Sequence, residues 1–428
     1  MPQDQDIRQR IQARIGQGEF LGSLLHVAAH QSHDVQQDFV QNLSAIAATV
    51  RTLLADNGRI AKIDYLPQIY WPTLKGKAFA FIDGGVANLD LPSAAPVGIR
   101  VGSYIVRPGD ETDARERFNI TLSLVDDLYS GEGHLFDDDF LDIAKLRDAA
   151  RMTGEVAAAY HLAREMPSLD GIVLHGPLVN PVSPYGLEDF PSFGLAACKT
   201  FLDDPQWTGD VAKRQFVSIY LEILEALAAS KVPVVGAVER SIGKQPVVIN
   251  RLLEDLVPSK LAREECRKVQ EEIRRYGLND ASLLDVVLLE GEYIVPLAIN
   301  RQGPENKWPD AWKQWIRTYP PPLTTYIKPA ELVTPFRVET FENIASFPDL
   351  LHLIMHTSRL LPSYGFPVGL DIVDKFAKVP AWMSKGIRGQ HQVVLLQKAL
   401  ASNDPAAVSF AKRVLTAKGR DWLFRPQA

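Results

Sequence analysis

Four positions in this 428-residue chain combine a reactive residue type with surroundings that could use it. The run from Lys77 to Asp83 is short and apolar, ends in a carboxylate and is followed by Gly84 and Gly85. A carboxylate closing a buried strand suits a hard divalent metal such as Mg²⁺ or Mn²⁺, and glycines let a backbone or phosphate come close. The same Asp83 would equally serve as a turn former that accepts backbone N–H bonds. His175, followed by Gly-Pro-Leu178, closes a second apolar run from Leu169. Glu155 lies in a helical pattern and could project over a sheet edge or face solvent. Asp374 falls beside Leu370 and Val373 on the apolar side of a late helix, where an acid invites a partner or an ion.

Other histidines read differently. His352 and His356 stand four apart on a helix, but Leu-Ile-Met lies between them, without the glutamate of a zinc-protease motif. His26, His30 and His33 share a helical face with no accompanying carboxylate or cysteine, which is the pattern of a surface or interface stripe. The two cysteines, Cys198 and Cys266, cannot build a disulfide framework.

The elements around these residues alternate between strand and helix patterns. Residues 5–57 have apolar positions at helical spacing. Buried-strand patterns follow at 77–83, 97–106 and 118–125, then a long helix over 139–165 and a strand over 169–174. A helix over 211–230 leads to the strand 232–238. Residues 246–330 read as an insertion of helix, strand pairs and a Trp/Pro-rich loop. A strand at 336–340 and helices at 347–361 and 370–379 complete the pattern. This order predicts an α/β fold with a mixed sheet flanked by helices. In such sheets, sites form at the carboxyl ends of strands, where Asp83 and His175 are expected.

Composition narrows the function. An apolar fraction of 46% with 23% charged residues is that of a globular protein. No apolar run of 18 residues and no secretory leader pattern occur, so a cytoplasmic protein is expected, with no membrane partner. No G-x-x-x-x-G-K-[ST], G-x-G-x-x-G or G-x-S-x-G motif is present, which disfavours a P-loop ATPase, a dinucleotide enzyme and an α/β-hydrolase. The net charge of −6 hides an uneven distribution: residues 375–428 carry +8 and the first 374 carry −14. A basic block of that kind is a candidate phosphate-contacting surface, or a helical tail facing an acidic patch.

Taken in order, these segments resemble the NurA nuclease family, over roughly residues 70–380. The resemblance rests on Phe-Ile-Asp83-Gly-Gly, on Arg151 four residues before Glu155, and on Leu174-His-Gly-Pro-Leu178. It continues through Val234-Val-Gly-Ala-Val-Glu-Arg-Ser241, Arg337-Val-Glu339 and Gly365-Phe-Pro-x-x-Leu370-x-x-Val-Asp374. It implies an RNase H-like fold with an N-terminal helical segment (1–69), a nuclease domain (70–380, insertion 246–330) and a basic helical extension (381–428). It further implies DNA cleavage of single-strand exo- or endonuclease type, with Mn²⁺ or Mg²⁺ held by Asp83, Glu155, His175 and Asp374. Glu165 competes with Glu155 for the helical ligand position. Arg240, Lys375, Lys378, Lys385 and Arg388 are the expected DNA contacts.

A HerA-like hexameric ATPase and a second copy of the chain are the implied partners, in DNA end processing or anti-phage defence. Two departures stand out: His175 replaces the family's aspartate before Gly-x-Leu, and Glu239 replaces a lysine. They open the alternative of a catalytically degenerate subunit that binds DNA and docks on the ATPase.

Overall fold

A computed structural model describes residues 18, 20, 22, 33–88, 96–127, 143–179, 216–239, 246–256, 260–299, 322–341, 345–361 and 363–416. Its contacts fall into two units, one drawn from residues 1–61 and 242–289 and the other from residues 62–241 and 290–428.

Among the described residues the smaller unit is built mainly of helices. α1 (His33–Asp56) is contributed from before the sheet; α5 (Val247–Asp255), α6 (Lys260–Arg275) and α7 (Asp280–Val287) come from the expected insertion. Here the buried Asp280 accepts hydrogen bonds from the N–H groups of Val248 and Ile249 at 3.0 and 2.9 Å. It thereby satisfies orphan donors at the first turn of α5, a helix whose own N-cap is a proline without a side-chain acceptor. Asn279 and Ser282 form a reciprocal capping box that starts α7.

The larger unit is built on one mixed sheet. Strands β1 (Phe79–Asn88), β2 (Pro96–Val106) and β3 (Glu116–Asp127) form an antiparallel meander. On the other side of β1, β4 (Gly171–His175) and β5 (Val234–Val238) run parallel to it and to each other. The spatial order β3-β2-β1-β4-β5 with this polarity is the RNase H-like arrangement. Beyond β5 the sheet grows through β9 (Phe336–Phe341), antiparallel to β5, and β8 (Pro322–Ile327), antiparallel to β9. The short strands β6 (Glu292–Ile294) and β7 (Leu297–Ala298) pair with β8. The second part of the expected insertion thus returns to the sheet.

Helices cover both faces. α3 (Ile143–Glu165) and α4 (Phe216–Ala228) pack on one, α8 (Phe347–Ser358) and α9 (Val368–Ala377) on the other, and each face has its own apolar core. Alternation along the strands decides the face: Ala80 and Ile82 join the α3–α4 core, Phe79 and Phe81 the α8–α9 core. With both faces covered, β5 is buried at every position, which is why Val234-Val-Gly-Ala-Val238 reads as a continuous apolar run.

Two glycines set how closely the helices approach. A Cβ on Gly369 of α9 would lie 2.5 Å from the Phe81 ring, and one on Gly171 of β4 would meet Leu350 of α8. A three-residue strand, Ile60–Lys62, lies at the sheet's other edge beside β6, α2 (Pro67–Thr73) leads from it into β1, and α10 (Ala381–Ala401) and α11 (Pro405–Thr416) follow the sheet as a packed pair. No helix among the described residues is long and apolar enough to cross a membrane.

Candidate functional site

The sequence places Asp83 at the end of a strand, before a glycine turn. The structure differs: β1 runs on through Gly84 and Gly85 to Asn88, fully paired with β2. Only the parallel partner stops, since the last register pair between β1 and β4 is Ile82↔Leu174. Asp83 is therefore where β1 leaves its parallel neighbour, a geometric strand end without a turn.

The adjacent glycines have a packing reason. A Cβ on Gly84 would come within 2.6 Å of Glu155 Oε1 and 3.1 Å of Arg151 Cγ, on the α3 face. A Cβ on Gly85 would come within 2.5 Å of the Ala377 carbonyl oxygen and 3.0 Å of Lys378 Cα, on the α9 face. Two helices thus press on β1 from opposite sides at consecutive residues, and side chains there would push both away.

Around this point four donors come together from four elements. Asp83 is 4% exposed; its Oδ1 accepts from the Gly84 N–H at 2.8 Å and its Oδ2 lies 2.9 Å from His175 Nδ1. The first of these contacts is the backbone bond of the turn-former reading, made within an extended strand. His175, at the end of β4, is followed by Gly176 at φ +110°, a conformation that favours glycine. Glu155 on α3 is 5% exposed and paired with Arg151 one turn earlier. Asp374 on α9 reaches the same cluster, close enough for Asp83 to influence its ionisation.

Charge in the cluster is unevenly balanced. Burial pushes the Glu155 carboxyl up to about 7, Arg151 opposes the shift and Asp83 adds to it. Asp374 is likewise raised, by burial first and then by Asp83. Burial disfavours a charged His175, yet its hydrogen bond to Asp83, with the charges of Asp83, Glu155 and Glu239, outweighs that and leaves its pKa raised. Arg151 holds its charge more firmly beside Glu155.

This is a set of three carboxylates and one imidazole, with a like-charge excess in a site largely shielded from water. A divalent cation relieves that kind of excess, so the donor chemistry fits one. As the side chains stand, no three such donors among the described residues are set as metal ligands. His175 occupies one oxygen of Asp83 and Arg151 one oxygen of Glu155, which turns the donors toward each other.

The remaining expected residues are dispersed. Glu165 is exposed at the end of α3, ten residues or about 15 Å along the helix from Glu155. Lys375 is exposed and paired with Asp371; Lys378 is exposed beside Gly85. Lys385 and Arg388 are exposed on α10. Arg240, His26, His30 and Cys198 lie outside the described residues. His352 and His356 of α8 belong to a ring cluster with Tyr70 and Trp71, and His356 is 1% exposed. Sequence reasoning missed the role of Arg151 as the counter-charge of Glu155. The available signal was the four-residue spacing, which stacks an ion pair on one helical face.

A NurA domain model matches residues 77–379, from the start of β1 to the end of α9. The chain belongs to the NurA family. Its likeness to solved NurA structures is distant. The NurA nuclease from Sulfolobus solfataricus is 14% identical over 86% of this chain and 98% of that one, with a TM-score of 0.45. A second NurA structure is 11% identical over 89% and 100%, with a TM-score of 0.46. A NurA structure with manganese is 12% identical over 86% and 98%, with a TM-score of 0.44. No protein of curated function matches the chain. The matched family segment contains all four clustered donors and both glycines, and it leaves the α10–α11 pair outside.

Proposed function

We propose that this NurA family member is a divalent-metal-dependent DNA nuclease, hydrolysing phosphodiester bonds of single-stranded DNA as an exo- or endonuclease. One observation carries the reading: Asp83, Glu155, His175 and Asp374 meet where β1 outruns its parallel partner. Asp83, Glu155, His175 and Asp374 would hold Mn²⁺ or Mg²⁺. Such an ion, when bound, lowers the pKa of water and neutralises charge on phosphate oxygens.

The chain's own residues supply the rest. Arg151 offsets part of the burial that favours a neutral Glu155, and Gly84 leaves room for that pair against the sheet. Gly85 gives α9 the close approach that brings Asp374 to Asp83. His175 shares a proton with Asp83 through Nδ1, so the cluster can take up or release one as the charge around the phosphate changes.

Incubating the purified chain with single-stranded DNA and Mn²⁺ tests this reading. Cleavage should appear with Mn²⁺, vanish in chelator and fall at least about a hundredfold in Asp83→Asn. Persistence of cleavage in that variant would refute the site.

A second reading, a degenerate subunit that binds DNA without cutting it, is favoured by His175 standing where the family carries a carboxylate and by its hold on Asp83. It predicts DNA binding with no metal-dependent cleavage. In either case a HerA-like ATPase is the proposed partner, in DNA end processing or defence, because no P-loop motif in this chain could drive movement along DNA. The proposed functional form is a homodimer.

A further inference from the structure

The sheet face that carries Asp83 continues outward across β2 and β3. Phe81 of β1 pairs with Tyr104 of β2, and Tyr104 with Phe118 of β3, so three rings line up across three strands. Ring centroids are 6.1 Å apart for Phe81–Tyr104 and 4.7 Å for Tyr104–Phe118, both near parallel. The inner two rings are buried, whereas Phe118 is 44% exposed at the sheet's edge strand.

Phe376 of α9 lies beside Phe118, 5.7 Å between centroids, and the Arg100 guanidinium sits 5.7 Å from the Phe376 ring centre. Among the described residues Arg100 has no carboxylate partner and lies against that ring. Lys378, exposed at the end of the same helix, adds a second cation beside Gly85.

The position of this patch relative to Asp83 follows from strand register. Asp83 pairs with Gly102, and Gly102 with Ile120, which is 38% exposed. Phe118 is two residues from Ile120 on the same face. Two strand spacings and one two-residue step place it about 12 Å from Asp83. That is a nucleotide or two of extended single strand.

An exposed ring continuing a stack, an adjacent planar guanidinium held against a second ring and a nearby lysine suit one occupant. Stacked bases tolerate any sequence, and the cations attract the phosphates between them. We infer that Phe118, Phe376 and Arg100 form a base-stacking subsite that holds single-stranded DNA while a phosphate a nucleotide or two away reaches Asp83. The inference takes its occupant from the nuclease reading above. It adds a positioning site that lies off the donor cluster and shares no residue with it.

The test is binding without cleavage. The full-length chain is titrated in EDTA with two fluorescein-labelled single-stranded oligonucleotides, identical except that one has a run of three abasic positions. The unaltered chain should bind the abasic oligonucleotide about tenfold more weakly, in the range for losing a base–aromatic stack. Phe118→Ala should weaken binding of the intact oligonucleotide by a similar factor, and the abasic one should then bind no worse than the intact one. Phe118→Leu, which keeps an apolar side chain against Tyr104, should behave as Phe118→Ala does.

Equal weakening of both oligonucleotides by Phe118→Ala, unaltered binding of both, or no binding in EDTA would each overturn the subsite. So would Phe118→Ala changing the oligomeric state in light scattering while DNA affinity stays the same, since the patch would then be an interface between copies. A chain that shows the expected pattern yet cuts nothing with Mn²⁺ supports the subsite and defeats only the nuclease reading.

Discussion

At the residue scale the donor cluster is held by contacts that work against one another. Asp83 raises the pKa of both Glu155 and Asp374, and burial does the same. Replacing Asp83 by Asn removes a repelling charge at nearly constant volume, so the metal-free protein should melt at an unchanged or higher temperature. Mn²⁺ should raise the melting temperature of the unaltered chain and not that of the same variant, because an ion that binds only the folded state stabilises it by mass action. Calorimetric melting with and without Mn²⁺ reads both effects.

His356 makes an independent statement about pH. Its Nδ1 bonds to the His352 carbonyl, its Nε2 is buried with no hydrogen-bond partner among the described residues, and its ring stacks on Tyr70 at 3.8 Å. Burial lowers its pKa in the folded state. The unfolded chain therefore binds the proton first on acidification, and stability present above about 6.5 is lost as pH falls below it. Urea unfolding at pH 7.5 and 5.5 should show a smaller loss in His356→Phe than in the unaltered chain.

At the scale of elements, the strands and helices around the site were legible because each carries one clean period. The buried β4 and β5 read as continuous apolar runs, and α3 and α9 as helical stripes. Asp83, Glu155, His175 and Asp374 could be singled out as candidates because strand ends and an acid near an apolar helix face are visible in one dimension. The reason for Gly84 and Gly85 was not. A glycine pair after an acid looks like a turn, and only the approach of α3 and α9 from opposite faces explains it. The joining of α1 with residues 242–289 in one unit was equally hidden, since nothing local signals a partner two hundred residues away.

Close helix approach also yields a prediction: Gly369→Ala puts a methyl group into the Phe81 ring and should destabilise the fold by about 1–3 kcal/mol, the usual range for overpacking. Denaturant midpoints of this variant and of the exposed control Gly386→Ala, where a Cβ meets nothing, provide the comparison.

For the whole molecule, the net charge of −6 was a poor guide because the last 54 residues carry a local excess of positive charge, with few acids among their cations. In the structure those described along α10 stand exposed, and α10 buries only Ala399. If Lys385 and Arg388 meet phosphates, DNA affinity should fall steeply with salt. Replacing both by alanine should flatten the slope of log K against log salt by about 1.4 for single-stranded DNA, roughly 0.7 for each lost contact. Unchanged slopes would assign α10 to another partner. Because Phe118 acts through stacking, Phe118→Ala should leave that slope as it is, and the two surfaces can be separated in one titration series.

The two glycines of β1 have a bearing on ancestry. A descendant of this chain could keep every carboxylate and the histidine and still lose the geometry through one substitution at either position, because the smallest side chain beyond glycine already collides with Glu155 or with the backbone at Ala377. Loss of activity in such a lineage would leave no mark on the reactive residues themselves. Surveys of related genomes that count acids and histidines would then score inactive copies as working enzymes, and the Gly-Gly pair offers the stricter criterion.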